Sequence, residues 1–262
     1  MLAAAMRRMI RGNFSSTRVG KKYVPEIFKI VGVAAAFVFF LVLTIVLGLF
    51  WIASGHIPFS NGAEMMLTIA WTAMLASVLS FKRFSIMLPF GIIVASLAAL
   101  VSAMGNANPA VTQLMPVLSS PLLSIHVSLM MLSYTVLAII MVNGICGLVA
   151  SLRHTSVSDS ASAKMARMSE ALMYPALFFL GSGIIAGSIW ANVSWGCYWN
   201  WGPKETWALI TFLIASLGVH RTRLPFLRSH RAYHIYTLIL SASVLFTYFG
   251  VNYLLGGMHS YA

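Results

Sequence analysis

Runs of apolar residues close to the roughly 20 needed to cross a bilayer as a helix recur along this chain. They lie at about 29–52, 65–81, 85–104, 124–152, 171–191, 205–219 and 233–255. The pattern predicts an all-α, polytopic membrane bundle of about seven transmembrane helices, with the short sixth run and the long fourth leaving room for six or eight. Residues 1–28 read as a basic N-terminal segment and 29–262 as one transmembrane domain. The first apolar run follows MRRMIRGNFSSTRVGKK and is too long for the core of a signal peptide, so no cleavable leader is expected.

Charge orients these spans. Every Lys and Arg except Lys204 falls before the first span or between spans two and three, four and five, or six and seven. Those segments all belong to one side, which the positive-inside rule makes cytoplasmic. The N-terminus is therefore expected in the cytoplasm and the C-terminus outside. The segments GHIPFSNGAE (55–64) and GNANPAVTQLMPVLSSP (105–121), the tryptophan-rich stretch at 190–207 and the end of the chain share the outer face.

Composition agrees with a membrane setting. Sixty per cent of the 262 residues are apolar and 8% charged, against about 25% charged in soluble domains. The net charge of +12 is the mark of positive-inside loops, and no nucleic-acid partner is expected. Cys146 and Cys197 are too far apart in sequence for a CxxC or metal-type motif. The Ser-rich loop HTSVSDSASAK reads as a solvated linker.

The chemical signals lie on the outer face. WANVSWGCYWNWGPKETW, from Trp190 to Trp207, holds five tryptophans and Tyr198, more than interfacial anchoring requires. His126 opens the fourth span and His259 follows the seventh, level with that stretch. A neutral imidazole is a good axial ligand for haem iron, and a planar macrocycle needs an aromatic platform. An interfacial hydrogen-bonding role for each histidine is the simpler reading of the residues alone. His154, His230 and His234 sit among basic residues and read as solvated loop residues.

WGCYWNWGPKETWALITF resembles the tryptophan-rich WWD signature of haem-handling membrane proteins, and most closely that of the CcsA/ResC family of System II cytochrome c biogenesis. Three further segments are similar to family motifs in the same order: WIASGHIPFSNGAEM (51–65), LSSPLLSIHVSLMMLSY (118–134) and GVNYLLGGMHSYA (250–262). The resemblance implies haem b (iron protoporphyrin IX) as the bound group and a cytochrome c synthetase (haem lyase) role at a bacterial plasma membrane, where haem is attached outside the cytoplasm to the CxxCH motif of apocytochrome c. It implies His126 and His259 as axial ligands of an outer haem. Trp190, Trp195, Tyr198, Trp199, Trp201 and Trp207 would be its platform. His220 would serve an inner site completed by a CcsB/ResB-type membrane partner, with Arg221 and Arg223 placed to meet propionates. The chain would then be one subunit of a pair or part of a fused protein. His56 falls in a family motif without a role.

One position departs from the family pattern: Gly202 stands where Asp is usual, and Pro203 and Glu205 remain to open the following helix. A secondary transporter would lead one to expect ionisable groups near mid-membrane, which these spans lack. A b-type cytochrome would stack two histidines on one span; His220 and His234 have that spacing, but Pro225 and basic residues interrupt it. Export of haem to a chaperone is the nearest alternative, and a degenerate paralogue the next.

Overall fold

A computed structural model describes residues 17–55, 57–59, 61–81, 87–104, 120–152 and 156–251. Among the described residues seven α-helices follow one another: α1 (Thr17–Ser54), α2 (Gly62–Ser80), α3 (Met87–Met104), α4 (Pro121–Ser151), α5 (Ser156–Trp195), α6 (Pro203–Gly218) and α7 (His230–Leu245). A 3₁₀ turn at Pro225–Leu227 precedes α7, and a π-helical turn at Phe246–Gly250 extends it. No strand occurs among the described residues. The protein is a multi-pass helical membrane bundle.

Six of these helices are long and apolar enough to cross a bilayer. The sixth expected span is the exception, because α6 has 16 residues. At 1.5 Å per residue it reaches about 24 Å, short of a hydrocarbon core of about 30 Å. Its limits are local: Pro203 disfavours helix in the residue before it, and Pro225 follows the turn at its far end. The first helix begins at Thr17, upstream of the expected start at 29.

Packing centres on the α4–α5 hairpin, with α2 and α7 against α4, and α3 against α2. Between lipid-embedded helices burial of apolar surface drives little, since lipid is as apolar as leucine. Polar ties contribute instead, each worth about 0.6–2 kcal/mol. Thr72 and Thr135 share a hydrogen bond of 2.6 Å between α2 and α4. Ser133 Oγ donates to the Ala176 carbonyl at 2.9 Å, and Asn143 Nδ2 to the Met165 carbonyl at 2.7 Å, both from α4 to α5. Thr211 Oγ1 meets Ser243 Oγ at 2.6 Å, joining α6 to α7.

The first helix is peripheral. It buries Ala36 and Leu43, seven residues apart on one stripe, and leaves Val38, Leu41, Ile45 and Leu49 exposed. Trp71 Nε1 donates to Thr44 Oγ1 at 2.9 Å, and the Trp71 ring stacks on Phe40. His234 corrects its expected place in a solvated loop. It lies inside α7, fully buried, with Nε2 3.1 Å from Ser162 Oγ of α5. His154 and His56 lie outside the described residues.

Candidate functional site: an aromatic cavity at one end of the bundle

The start of α2, the start of α4, the end of α5, the start of α6 and the end of α7 meet at one end of the bundle. They enclose a cavity of about 180 Å³. His126, Met130 and Tyr134 line it from α4 at positions i, i+4 and i+8, one face of a helix. Trp190 comes from α5, Tyr198 and Trp199 from the loop after it, and Lys204 from the first turn of α6.

The imidazole of His126 is held by a specific bond. Its Nδ1 lies 2.7 Å from the Gly183 carbonyl of α5. A carbonyl only accepts, so Nδ1 carries the proton in this bond. The α5 backbone can approach this ring because residue 187 is glycine: a Cβ there would stand 2.6 Å from Nδ1. A hydrogen bond from the far ring nitrogen to a backbone carbonyl is how ligating histidines are oriented.

The tryptophan stretch does not act as one slab. Gly196 ends α5 with φ +75, and its N–H donates to the Asn192 carbonyl at 2.9 Å; this left-handed geometry favours glycine. The loop is then cinched from α6. Glu205 Oε2 accepts from the N–H of Asn200 at 2.9 Å and of Gly202 at 3.2 Å. Trp201 adopts φ 56 and is 69% exposed, a conformation that costs a bulky residue about 1–3 kcal/mol. Trp190 is buried and meets Trp195 edge to face; Trp199 meets Trp201 the same way. Trp190, Tyr198 and Trp199 therefore form the cavity wall. Trp195 and Trp201 stand behind it, exposed, and Trp207 turns away to pack on Phe246, ring centres 4.2 Å apart.

These residues fit a haem. One imidazole, oriented through its Nδ1 and set among broad apolar walls of Trp, Met and Tyr, has the chemistry of an axial ligand. Among the described residues no group of three His, Cys, Asp or Glu side chains is placed to cage a bare metal ion. His259, expected as the second ligand, lies outside the described residues.

His220 lies at the opposite end of the bundle, exposed, in the turn that closes α6. Arg223 is exposed beside it, whereas Arg221 points inward and is buried. Its Nη1 pairs with Glu170 at 3.4 Å, its Nη2 donates to His230 Nδ1 at 2.7 Å, and its Nε donates to the Leu227 carbonyl at 3.2 Å. Its plane also lies over the Tyr233 ring, 4.5 Å from the centroid. A guanidinium so committed acts as a structural clamp of the turn between α6 and α7.

Sequence reasoning passed over Met65, Met130, Met131, Tyr134, Tyr248 and Lys204 as cavity residues. The i, i+4, i+8 spacing of His126, Met130 and Tyr134 carried the signal for two of them. Lys204 precedes the sixth expected span, and burial pushes its ammonium down to about 8.

Relatives sharpen the picture. A family model described as cytochrome C assembly protein matches residues 59–259. The chain is 33% identical over 270 residues to the cytochrome c biogenesis protein CcsA of Guillardia theta, covering 92% of this chain and 88% of that one. It is 33% identical over 236 residues to the CcsA of Chlamydomonas reinhardtii, covering 84% and 65%. It is 35% identical over 215 residues to protein NrfI of Wolinella succinogenes; that match covers 80% of this chain and spans about a quarter (24%) of NrfI's length.

Proposed function

Since the chain belongs to the cytochrome c assembly protein family, with a role in cytochrome c maturation, we propose that its aromatic cavity holds haem b for thioether attachment to apocytochrome c. The observation that supports this reading is the His126 Nδ1–Gly183 bond, which orients the ring beside the aromatic cavity.

In this reading His126 and His259 would hold the haem iron, and their imidazoles would tune its potential. Trp190, Tyr198 and Trp199 cover a macrocycle face without adding reactive groups. Haem and the CxxCH thiols supply the chemistry, each thiol adding S–H across a vinyl group with no oxidant consumed. The protein's contribution is position and exclusion of water. The exposed ring of Trp201, fixed at its strained φ, marks the rim toward which an apocytochrome would come.

The basic end of the bundle, with His220 and Arg223, is then the cytoplasmic face and takes haem together with a CcsB/ResB-type partner. The cavity end is extracytoplasmic. The test is the reduced haem spectrum of the protein purified with its partner, compared with that of His126→Ala. The variant should lose the six-coordinate spectrum and the attachment of haem to a co-expressed apocytochrome, and added imidazole should restore part of both. An unchanged spectrum would sink the reading.

A further inference from the structure

We propose that the turn between α6 and α7 binds the headgroup phosphate of an anionic phospholipid through Arg228 and Arg231, with Phe226 set against the acyl chains. The inference is independent of what the aromatic cavity holds, and it gives a ligand to cations at the other end of the bundle.

Helix length sets the depth of this turn. Helix α6 starts at the cavity and runs for 16 residues, about 24 Å, against a hydrocarbon core of about 30 Å. The turn that follows is therefore drawn to the bilayer boundary rather than held clear of it. Within it Phe226, in the 3₁₀ segment, is 61% exposed. Arg231 heads a stripe of α7 with Ile235 and Ile239, at i, i+4 and i+8, and all three are exposed. Exposed isoleucines of a spanning helix meet lipid, so Arg231 stands at the head of a lipid-facing stripe.

The turn is also braced from within. Buried Arg221 donates from Nε to the Leu227 carbonyl at 3.2 Å and from Nη2 to the Arg228 carbonyl at 3.3 Å. Arg228 Nε donates to the Thr222 carbonyl at 3.3 Å, which anchors that guanidinium at its inner nitrogen. Glu170 is engaged by Arg221 at 3.4 Å, and among the described residues no carboxylate pairs with Arg228 or Arg231. The planar fork of a guanidinium matches two oxygens of a phosphate, and the pairing strengthens where the surroundings are drier than bulk water. Arginines that were only solvated loop cations would act as diffuse charge, and any other cation of that face could replace them.

The probe is a pair of lipids with the same acyl chains, phosphatidylglycerol and phosphatidylcholine. Each is titrated into the full chain, purified from membranes in detergent, and the first bound lipid is counted by native mass spectrometry. Wild type should bind phosphatidylglycerol more tightly. Arg228→Gln and Arg231→Gln should each lower that affinity roughly fivefold and leave phosphatidylcholine unchanged. Lys164→Gln, which removes an exposed cation of α5, should leave the preference as it is. Excess inorganic phosphate should not displace the lipid. Equal affinity of wild type for the two lipids overturns the proposal, even if the arginine variants fail to accumulate. So does a loss in Lys164→Gln as large as in Arg231→Gln, since charge anywhere on that face would then suffice. Displacement by inorganic phosphate would make this a site for the free anion and overturn it as well.

Discussion

The two ends of the bundle carry similar residue types and put them to opposite uses. At one end Arg221 is buried and donates to Glu170, His230 and the Leu227 carbonyl while covering Tyr233. At the other, His126 is tied down at one nitrogen by Gly183 and faces an aromatic cavity shared with Lys204. The first arrangement consumes its polar groups to close a turn between α6 and α7. The second orients a ring beside a cavity. A basic residue next to a ligand motif is therefore no sign of ligand contact until its own partners are known.

The comparison can be broken most sharply at the clamp. Arg221→Ala should cost about 3 kcal/mol of stability, because it strands acceptors that the guanidinium satisfied, while haem binding at the cavity stays intact in whatever protein folds. Thermal unfolding in detergent beside a haem titration would show both. An equal loss of haem affinity would mean that the two ends are not separable.

His126→Ala should do the reverse. We expect at least a hundredfold loss of haem affinity, about 2.7 kcal/mol, with a melting temperature close to wild type. A large fall in melting temperature would place His126 with Arg221 as a packing residue.

Gly187→Ala probes the same bond more gently. The added Cβ would stand 2.6 Å from Nδ1, so the ring must turn and weaken its bond to Gly183. Haem affinity should fall roughly tenfold, within the range seen when the partner of a ligating histidine is lost. An unaltered haem spectrum would show that the orienting bond is dispensable.

The smallest effect belongs to Gly202. Its φ of −60 suits any residue, and a Cβ there would lie 3.9 Å from the Glu205 carboxylate, an ordinary contact. Gly202→Asp should therefore be accommodated, changing stability by less than about 1 kcal/mol: an acid caps the helix N-terminus better than glycine but faces Glu205. If the variant gains haem attachment activity, the glycine marks a weakened site. If it changes nothing, Glu205 already serves as the cap.

Several features were legible from residues alone. The seven apolar runs correspond to the seven helices of the described residues, with the short sixth run becoming the 16-residue α6. The ordered motifs pointed to the family that the relatives then showed. His126 was singled out as a candidate ligand, and it lines the cavity with Trp190, Tyr198 and Trp199. His234 was not legible, because a histidine after HRAY reads as loop until α7 is seen to begin at His230 and bury it against Ser162.

The sequence by itself determined where the helices run, because lipid demands long apolar segments with satisfied backbones and every such segment announces itself. It also determined which loops carry charge. Only the tertiary structure decided which faces meet. Helices apolar all round, such as α2 and α4, do not signal whether a side chain touches lipid or a neighbour, since both environments are equally apolar. That choice brought Lys204 to His126 in one cavity, turned Trp207 out to Phe246 and folded Arg221 inward. It was made by the close approach of α5 to α4 and by hydrogen bonds such as His126 to Gly183, contacts between residues distant in sequence that no local pattern records.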